Sequence, residues 1–390
     1  MENPVSVTAM ASVSPLGSSA KEIWQRYTDP VHYIKLHDFA GKEAFAASLS
    51  PDLKNEISEL RSSRGNLSKV DDSVLYAVKA ARIAVDRAGW EKGEDVGINI
   101  GSSRGATRLF EKFHSEFLKN GKAATLSSPA TTLGNISSWV AQDLQSTGPD
   151  ISHSVTCSTG LHAILNGVAW INAGMAGKFL AGGSEAALTP FTMAQMQAMK
   201  IIASEDGEYP CRALDLQKKK NTMVLGEGAA VACLEKGHHP DALAMITGLG
   251  YATEGVKNPV SISANGTAFQ KSMKMVLGSL PACEIDAIVM HAPGTLKGDQ
   301  SEFNAIRSIF GEDLPALTSN KWKIGHTFGA SGTLSLELAI MMLQYQEFIP
   351  VPYASSGSVP GKLHNILVNA VGFGGNAVSL LVSLPKKQHL

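Results

Sequence analysis

Cys157 is the residue of this chain whose type and surroundings most clearly suggest chemistry. An apolar stretch predicted to be a strand, residues 151–155, leads into the cysteine, and Gly160 opens a stretch predicted to be a helix, residues 161–173. A cysteine at such a corner lies at the positive end of the helix dipole and near free backbone N–H groups, and both favour the thiolate over the thiol. We therefore predict a nucleophile that carries an acyl group, against the simpler alternative of an inert buried cysteine.

Three later turns also combine polar side chains with glycines: residues 291–299, 321–326 and 371–376. Each lies next to a short apolar strand, and α/β sheets place their sites at strand ends. The side chains of interest in these turns are His291, Thr295, Lys321, His326 and Phe373. A single histidine in such a place is usually structural, so only the combination with Cys157 indicates a site.

Short apolar strands and helices alternate along the rest of the chain. The predicted strands are residues 5–13, 96–100, 179–183, 229–234, 242–251, 287–290, 366–371 and 377–382. The predicted helices are residues 20–27, 71–90, 107–118, 130–144, 191–199, 267–280, 299–310 and 329–346. Residues 28–68 and 203–223 are predicted to be irregular and exposed, with the run Lys218, Lys219, Lys220 in the second. A similar order before and after residues 237–240 predicts a layered α/β fold with buried sheets and an internal duplication.

The composition argues against several classes of protein. With 390 residues, 44% of them hydrophobic and 18% charged, the chain is expected to be globular, and its net charge of -1 provides no basic field for nucleic acid. Residues 151–177 contain no Asp, Glu, Lys or Arg, but their polar groups favour a buried strand and helix over a membrane span. The four cysteines lie far apart without metal-ligand spacing, which indicates neither disulfides nor a metal site and fits a cytoplasmic protein.

Taken together, Cys157 and the three turns resemble those of the β-ketoacyl–acyl carrier protein synthases. These are condensing enzymes of the thiolase fold, and the resemblance is to their branch with one cysteine and two histidines. It extends from residues 13–17 to residues 372–375. It implies an α/β, thiolase-like fold of two pseudo-duplicated halves in a layered α-β-α-β-α architecture. Residues 1–236 would form the N-terminal half with the nucleophile, and residues 241–390 the C-terminal half with both histidines.

The resemblance also implies roles for the residues of the site. Cys157 would accept an acyl group from a carrier thioester, and its own N–H group and that of Phe373 would form the oxyanion hole. His291 and His326 would bind the carbonyl of a malonyl thioester and stabilise the enolate that forms when it loses carbon dioxide. Lys321 would support His326.

Further implied residues concern the gate and the carrier. Phe373 and Gly374 would belong to the turn that forms the oxyanion hole and the gate of the acyl pocket, and Thr295 would hydrogen-bond the pantetheine arm. The carrier supplies this arm, so no diffusible cofactor and no metal are expected. An acyl carrier protein would dock on a loose basic group: Arg61, Arg64 and Lys69. The family forms dimers, and we expect a homodimer or a heterodimer with a related synthase-like subunit.

The main functional hypothesis is a β-ketoacyl synthase that performs a decarboxylative Claisen condensation in fatty-acid, polyene or polyketide biosynthesis. The alternatives are a non-catalytic subunit similar to a chain-length factor, which typically lacks the cysteine, and a cysteine acyltransferase without condensation. Three departures from the family pattern suggest a specialised pathway. Residues 218–223 replace the usual acidic and aromatic residues before residues 226–228. Pro293 stands in place of a threonine, and Ser335 in place of a glutamate that Glu337 cannot replace from its own side of a helix.

Overall fold

The computed structural model describes residues 4–133, 135–204, 207–255, 262–354 and 357–385 of the chain. Its strands are β1 (Val5–Val13), β2 (Lys35–Asp38), β3 (Glu43–Ala47), β4 (Val96–Gly101), β5 (Asp150–Ile151), β6 (Lys178–Glu185), β7 (Leu225–Gly226), β8 (Gly228–Lys236), β9 (Ala244–Thr253), β10 (Ala287–Val289), β11 (Ala316–Thr318), β12 (Asn365–Gly372) and β13 (Asn376–Ser383). Its α-helices are α1 (Ala20–Thr28), α2 (Pro51–Ser63), α3 (Asp72–Ala88), α4 (Thr107–Asn120), α5 (Ser127–Thr131), α6 (Asn135–Leu144), α7 (Thr159–Asn172), α8 (Pro190–Ala198), α9 (Thr267–Leu277), α10 (Leu296–Phe310), α11 (Lys321–Ile324) and α12 (Ser331–Tyr345).

Two mixed five-stranded sheets organise the fold. The first has the order β1-β8-β6-β4-β5 and the second the order β11-β10-β12-β13-β9. Strands such as β1, β4, β8 and β13 are almost entirely buried, which explains why they occur in the sequence as continuous apolar runs rather than as alternating patterns. A small third sheet, β2-β3-β7, lies apart from them.

The helices complete five layers. Helices α7 and α12 contact each other and lie between the two sheets, where α7 packs on β4 and β6 and α12 on β8 and β12. Helix α3 covers β1 and β8, and α9 covers β9 and β13. This arrangement confirms the predicted thiolase-like α-β-α-β-α architecture.

Glycines allow the two central helices to approach closely. A Cβ atom on Gly160 of α7 would lie 2.7 Å from the hydroxyl oxygen of Thr333, and one on Gly332 of α12 would lie 2.6 Å from a side-chain carbon of Leu161. Such distances leave no room for a larger residue. The start of α7, next to Cys157, is thereby held against the start of α12, which follows the turn of His326.

Most predicted elements are present with bounds shifted by a few residues, but the prediction for residues 28–68 was wrong. They contain β2, β3 and α2. Strand β3 pairs in parallel with β7, about 180 residues later in the chain. Such a long-range pairing leaves no local pattern. The single helix predicted over residues 130–144 is also replaced by two helices, α5 and α6.

The strand predicted to lead into Cys157 is much shorter than expected. Only β5 pairs with β4, at the edge of the first sheet. After it, the Ser152 hydroxyl donates to the Ile100 carbonyl at 2.9 Å, and a ring nitrogen of His153 lies 3.0 Å from the Asn99 amide nitrogen. Side-chain hydrogen bonds therefore join a backbone bond, from the Ser102 N–H to the His153 carbonyl at 3.2 Å, in holding this segment. Every helix that the structure describes is too short or too polar to cross a membrane.

Candidate active site

Cys157 lies in a tight turn directly before α7. The Thr159 hydroxyl closes the turn, since it donates to the Thr156 carbonyl at 2.6 Å and accepts from the Val155 N–H at 2.9 Å. Thr156 has a positive φ of 49°, a conformation that non-glycine residues rarely adopt. A Cβ atom on Gly372 would lie 2.0 Å from the Thr156 hydroxyl oxygen, so the turn after β12 packs directly on the cysteine turn.

A cavity of about 440 Å³ joins the predicted residues of both halves of the chain. The predicted residues that line it are Cys157, His291, Thr295, His326 and Phe373. Of the other predicted residues, Gly374 lies in the same turn as Phe373, and Lys321 is buried behind the cavity. The structure thus brings together side chains that are up to 216 residues apart in the sequence, from Cys157 to Phe373.

The two histidines form a pair of perpendicular rings. Their ring centres are 5.2 Å apart and their planes are inclined by 89°. Nδ1 of His326 lies 2.8 Å from the Ser331 hydroxyl, whereas Nδ1 of His291 is buried without a hydrogen-bond partner among the described residues. Burial, followed by the positive charge of Lys321, lowers the pKa of His326 to about 3. Burial also lowers the pKa of His291 well below its usual value, so both rings are neutral near pH 7.

Lys321 contacts neutral groups. Its Nζ donates to Asn320 Oδ1 at 3.0 Å and to the Ser335 hydroxyl at 3.1 Å. Burial lowers the pKa of this amine to about 8. The carboxylate of Glu337 accepts instead from the Ser12 hydroxyl at 2.9 Å, on another side of α12. Ser335 is therefore the helix residue that contacts Lys321, in place of the glutamate expected from the family pattern.

Burial opposes the predicted preference of Cys157 for the thiolate. Burial raises the pKa of its thiol to about 12, and the negative charge of Glu185 acts in the same direction. Lys321 and Arg104 lower this pKa but do not outweigh the burial. Removal from water disfavours the charged thiolate more strongly than these two cations favour it. The resting site therefore holds a thiol beside two neutral imidazoles.

Glu185 connects the two halves of the site. Its carboxylate accepts from the N–H of Ser103 at 2.8 Å, from the Ser102 hydroxyl at 3.0 Å and from the N–H of Gly329 at 3.0 Å. Burial raises its pKa to about 7. Ser103 follows β4, and Gly329 lies between His326 and α12, so this carboxylate ties the end of the first sheet to the histidine turn.

Two acidic residues of α10 position the turn of His291 and Thr295, and the sequence analysis missed both. Glu302 accepts from the backbone N–H groups of His291 at 3.0 Å and of Ala292 at 2.8 Å. Asp299 accepts from the N–H of Gly294 at 3.0 Å. Their spacing of three residues on a predicted helix, directly after a polar turn, is the signal that could have revealed them.

Asp299 has a buried cationic partner. Nζ of Lys218 lies 2.6 Å from Asp299 Oδ2, and the two side chains are 3% and 0% exposed. The prediction of an exposed lysine run was therefore wrong for Lys218. The N–H of Leu214 also donates to Asp299, at 2.9 Å. Because a buried charge needs a partner of opposite sign, the loop folds inward at Lys218 to meet the carboxylate.

Thr295 has a second function in the fold. It is the N-cap residue of α10, and its hydroxyl accepts from the N–H of Gly298 at 3.1 Å. As a donor, the hydroxyl has no partner among the described residues, so its proton is free for a ligand in the cavity. Pro293 lines the same cavity and offers no hydroxyl.

The predicted basic group for carrier docking lies outside the cavity lining. Arg61 pairs with Asp72 and donates to the Val70 carbonyl at 2.7 Å. Arg64 pairs with Asp143 at 3.0 Å. Lys69 is exposed. Two of the three cations thus have partners within the chain, and the docking role of the group stays a prediction.

Comparisons with known proteins show the family of the chain. The N-terminal domain model of the β-ketoacyl synthases matches residues 2–239 and their C-terminal domain model matches residues 243–353. The chain is 26% identical to 3-oxoacyl-[acyl-carrier-protein] synthase 2 of Coxiella burnetii, over 97% of this chain and 98% of the relative. It is also 26% identical to the synthase 2 of Staphylococcus aureus, over 95% of this chain and 99% of that relative.

Solved structures show the same fold. The ishigamide ketosynthase/chain length factor superposes with a TM-score of 0.85 at 19% identity, covering 98% of this chain and 99% of that chain. A β-ketoacyl synthase from Burkholderia phymatum superposes with a TM-score of 0.82 at 22% identity, covering 98% and 100%. Since the two family models together match most of the chain and the fold is thiolase-like, this protein belongs to the β-ketoacyl synthase family.

Proposed function

We propose that this protein catalyses the decarboxylative Claisen condensation of an acyl group held on Cys157 with a malonyl group held on an acyl carrier protein. The observation that carries the proposal is the shared cavity of Cys157, His291 and His326, in which both imidazoles are neutral and each has one N–H group to donate. The relatives named above are synthases of 3-oxoacyl carrier proteins, the product class of this reaction.

Acylation is the first step. The Cys157 sulfur attacks the thioester carbonyl of the incoming acyl carrier, and the negative oxygen that forms is stabilised by the N–H groups of Cys157 and Phe373. The carbon–sulfur bond to pantetheine then breaks, and the departing thiolate takes up the proton that Cys157 gives up. Because the resting cysteine is a thiol, this proton must leave as the new bond forms. Gly372 packs on Thr156, the residue before Cys157. This contact supports the role of the next residue, Phe373, as a donor to the negative oxygen.

Condensation is the second step. The malonyl carboxylate leaves as carbon dioxide, and the electrons of the broken carbon–carbon bond move to the thioester oxygen as an enolate. His291 and His326 donate hydrogen bonds to that oxygen, and if the Ser331 hydroxyl donates to Nδ1 of His326, the proton of this ring lies on Nε2. The enolate carbon attacks the acyl carbonyl, the bond to Cys157 breaks, and the sulfur regains a proton from solvent.

The carrier delivers both substrates through its pantetheine arm, with Thr295 as a donor to it, so no diffusible cofactor takes part. The main alternative is a non-catalytic subunit that shapes the pocket of a related synthase. The presence of the cysteine and both histidines in one cavity favours the catalytic function. A pair with a related subunit remains compatible with catalysis, and one of the similar structures is a ketosynthase with a chain length factor.

Intact-mass measurement after incubation with acyl carrier and malonyl carrier tests the proposal. The wild-type chain and Cys283→Ala, which removes an exposed cysteine, should gain one acyl group and release a product longer by two carbons. Cys157→Ala should gain none. His326→Ala should still gain the acyl group but should lose decarboxylation. Acylation of Cys157→Ala would show that another residue is the nucleophile, and acyl transfer without elongation would favour the acyltransferase alternative.

A further inference from the structure

The guanidinium of Arg104 lies against Phe328, an apolar residue that lines the cavity of Cys157. Arg104 follows β4, and its backbone N–H donates to Glu185 at 3.2 Å. The same carboxylate accepts from the N–H of Gly329, next to Phe328. These bonds hold the Arg104 turn in a defined position relative to the turn that carries His326 and Phe328.

The ring of Phe328 separates this guanidinium from the histidines. Its centre lies 5.8 Å from Cζ of Arg104 and 5.6 Å from the ring centre of His326. Phe328 lines the cavity and packs in one apolar cluster with Cys157, Met193 and Met196. An acyl chain on Cys157 that follows this cluster therefore meets Phe328, the ring that Arg104 contacts.

The hydrogen-bonding capacity of Arg104 is only partly used. One terminal nitrogen donates to the neutral side-chain oxygen of Gln195 on α8, the helix that also carries Met196. The Nε atom is buried and has no hydrogen-bond partner among the described residues. A buried N–H of a charged group without an acceptor is costly, so the site lacks an acceptor that a ligand could supply.

We propose that Arg104, supported by Gln195, selects acyl groups that carry an oxygen acceptor, a carboxylate or a carbonyl, at the end remote from the thioester. This inference rests on the proposed acylation of Cys157. An alkyl chain of the same length would bring only carbon to the guanidinium and would leave its N–H groups unpaired. Sites with buried donors discriminate strongly against substrates that lack the matching acceptor.

The test compares matched pantetheine thioesters, one series with alkyl acyl groups and one with a terminal carboxylate, over graded chain lengths. The rate at which intact mass shows acylation of Cys157 is the readout. At the optimal length, the wild-type protein should favour the carboxylate series by about 10-fold or more, as expected for a hydrogen bond to a charged donor. Arg104→Met should remove or reverse this preference while acylation by the alkyl series continues.

Two further variants make the test specific. Arg108→Met removes a more exposed arginine on α4 that pairs with Asp72, and it should leave the preference unchanged. Gln195→Leu should weaken the preference, and it provides a second measurement if Arg104→Met does not fold.

Equal acylation by both series in the wild-type protein, or a preference that survives Arg104→Met, would overturn the inference and leave the proposed function intact. If no thioester of either series acylates Cys157, the proposed function fails and the inference fails with it.

Discussion

Replacing Lys218 by methionine tests whether the buried Lys218–Asp299 pair stabilises the turn that carries His291 and Thr295. Methionine is similar in length but removes the cation. Among the described residues, the Asp299 carboxylate then keeps the N–H groups of Leu214 and Gly294 as donors. Removal of one partner of a fully buried ion pair typically costs about 3–5 kcal/mol. We therefore expect a loss of this size in the free energy of unfolding at pH 8, measured by urea denaturation.

The pH dependence gives this prediction a second readout. Burial already raises the pKa of Asp299, and Lys218 is the largest influence that lowers it. Without the lysine this pKa rises further, so the unfavourable charge is present at pH 8 and is lost as the pH falls through the new value. The destabilisation by Lys218→Met should therefore be smaller at acidic pH than at pH 8.

The neighbouring Lys219 offers a matched control because it is exposed. Lys219→Met should change the free energy of unfolding by less than about 0.5 kcal/mol. Equal effects of the two substitutions, or a Lys218→Met penalty that does not vary with pH, would refute the reasoning that Asp299 is charged and depends on Lys218.

Further predictions concern other contacts of the site. Ser331→Ala removes the hydrogen-bond partner of His326 Nδ1, a bond worth about 0.5–1.5 kcal/mol. The variant should slow decarboxylation about tenfold or less without slowing acylation of Cys157. Equal slowing of both steps would contradict a role of Ser331 at this ring. Gly372→Ala places a carbon 2.0 Å from the Thr156 hydroxyl oxygen. Thermal unfolding should show a loss of about 1–3 kcal/mol of stability, and intact mass should show slower acylation of Cys157. Glu337→Gln should be nearly neutral at pH 4 and stabilising by up to about 3 kcal/mol above pH 7. Burial raises the pKa of Glu337 from 4.5 to about 7, so the wild-type protein loses stability as the pH rises between these two values. Urea denaturation at both pH values measures the difference. Lys69→Glu should weaken carrier binding more at low than at high salt if the predicted basic group is the docking surface, and unchanged binding would remove that prediction.

The sequence alone was sufficient for the alternation of elements and for the catalytic candidates. Strand β1 and helices such as α3 and α10 have long apolar patterns, and burial of a whole strand or helix face is a local property that such patterns record. Cys157, His291 and His326 were identified because each lies in a turn next to a predicted strand and because the order of the turns resembles one family.

The tertiary structure decided which groups surround those side chains and in which protonation state they rest. The thiol of Cys157 has a raised pKa because burial and Glu185 outweigh Lys321 and Arg104. Glu185 reaches the site because β6 pairs with β4 in the first sheet. Lys218 is indistinguishable from Lys219 in the sequence, yet only Lys218 meets a buried carboxylate from a helix about 80 residues later. Energies of burial and charge depend on neighbours in space, and no local pattern contains those neighbours.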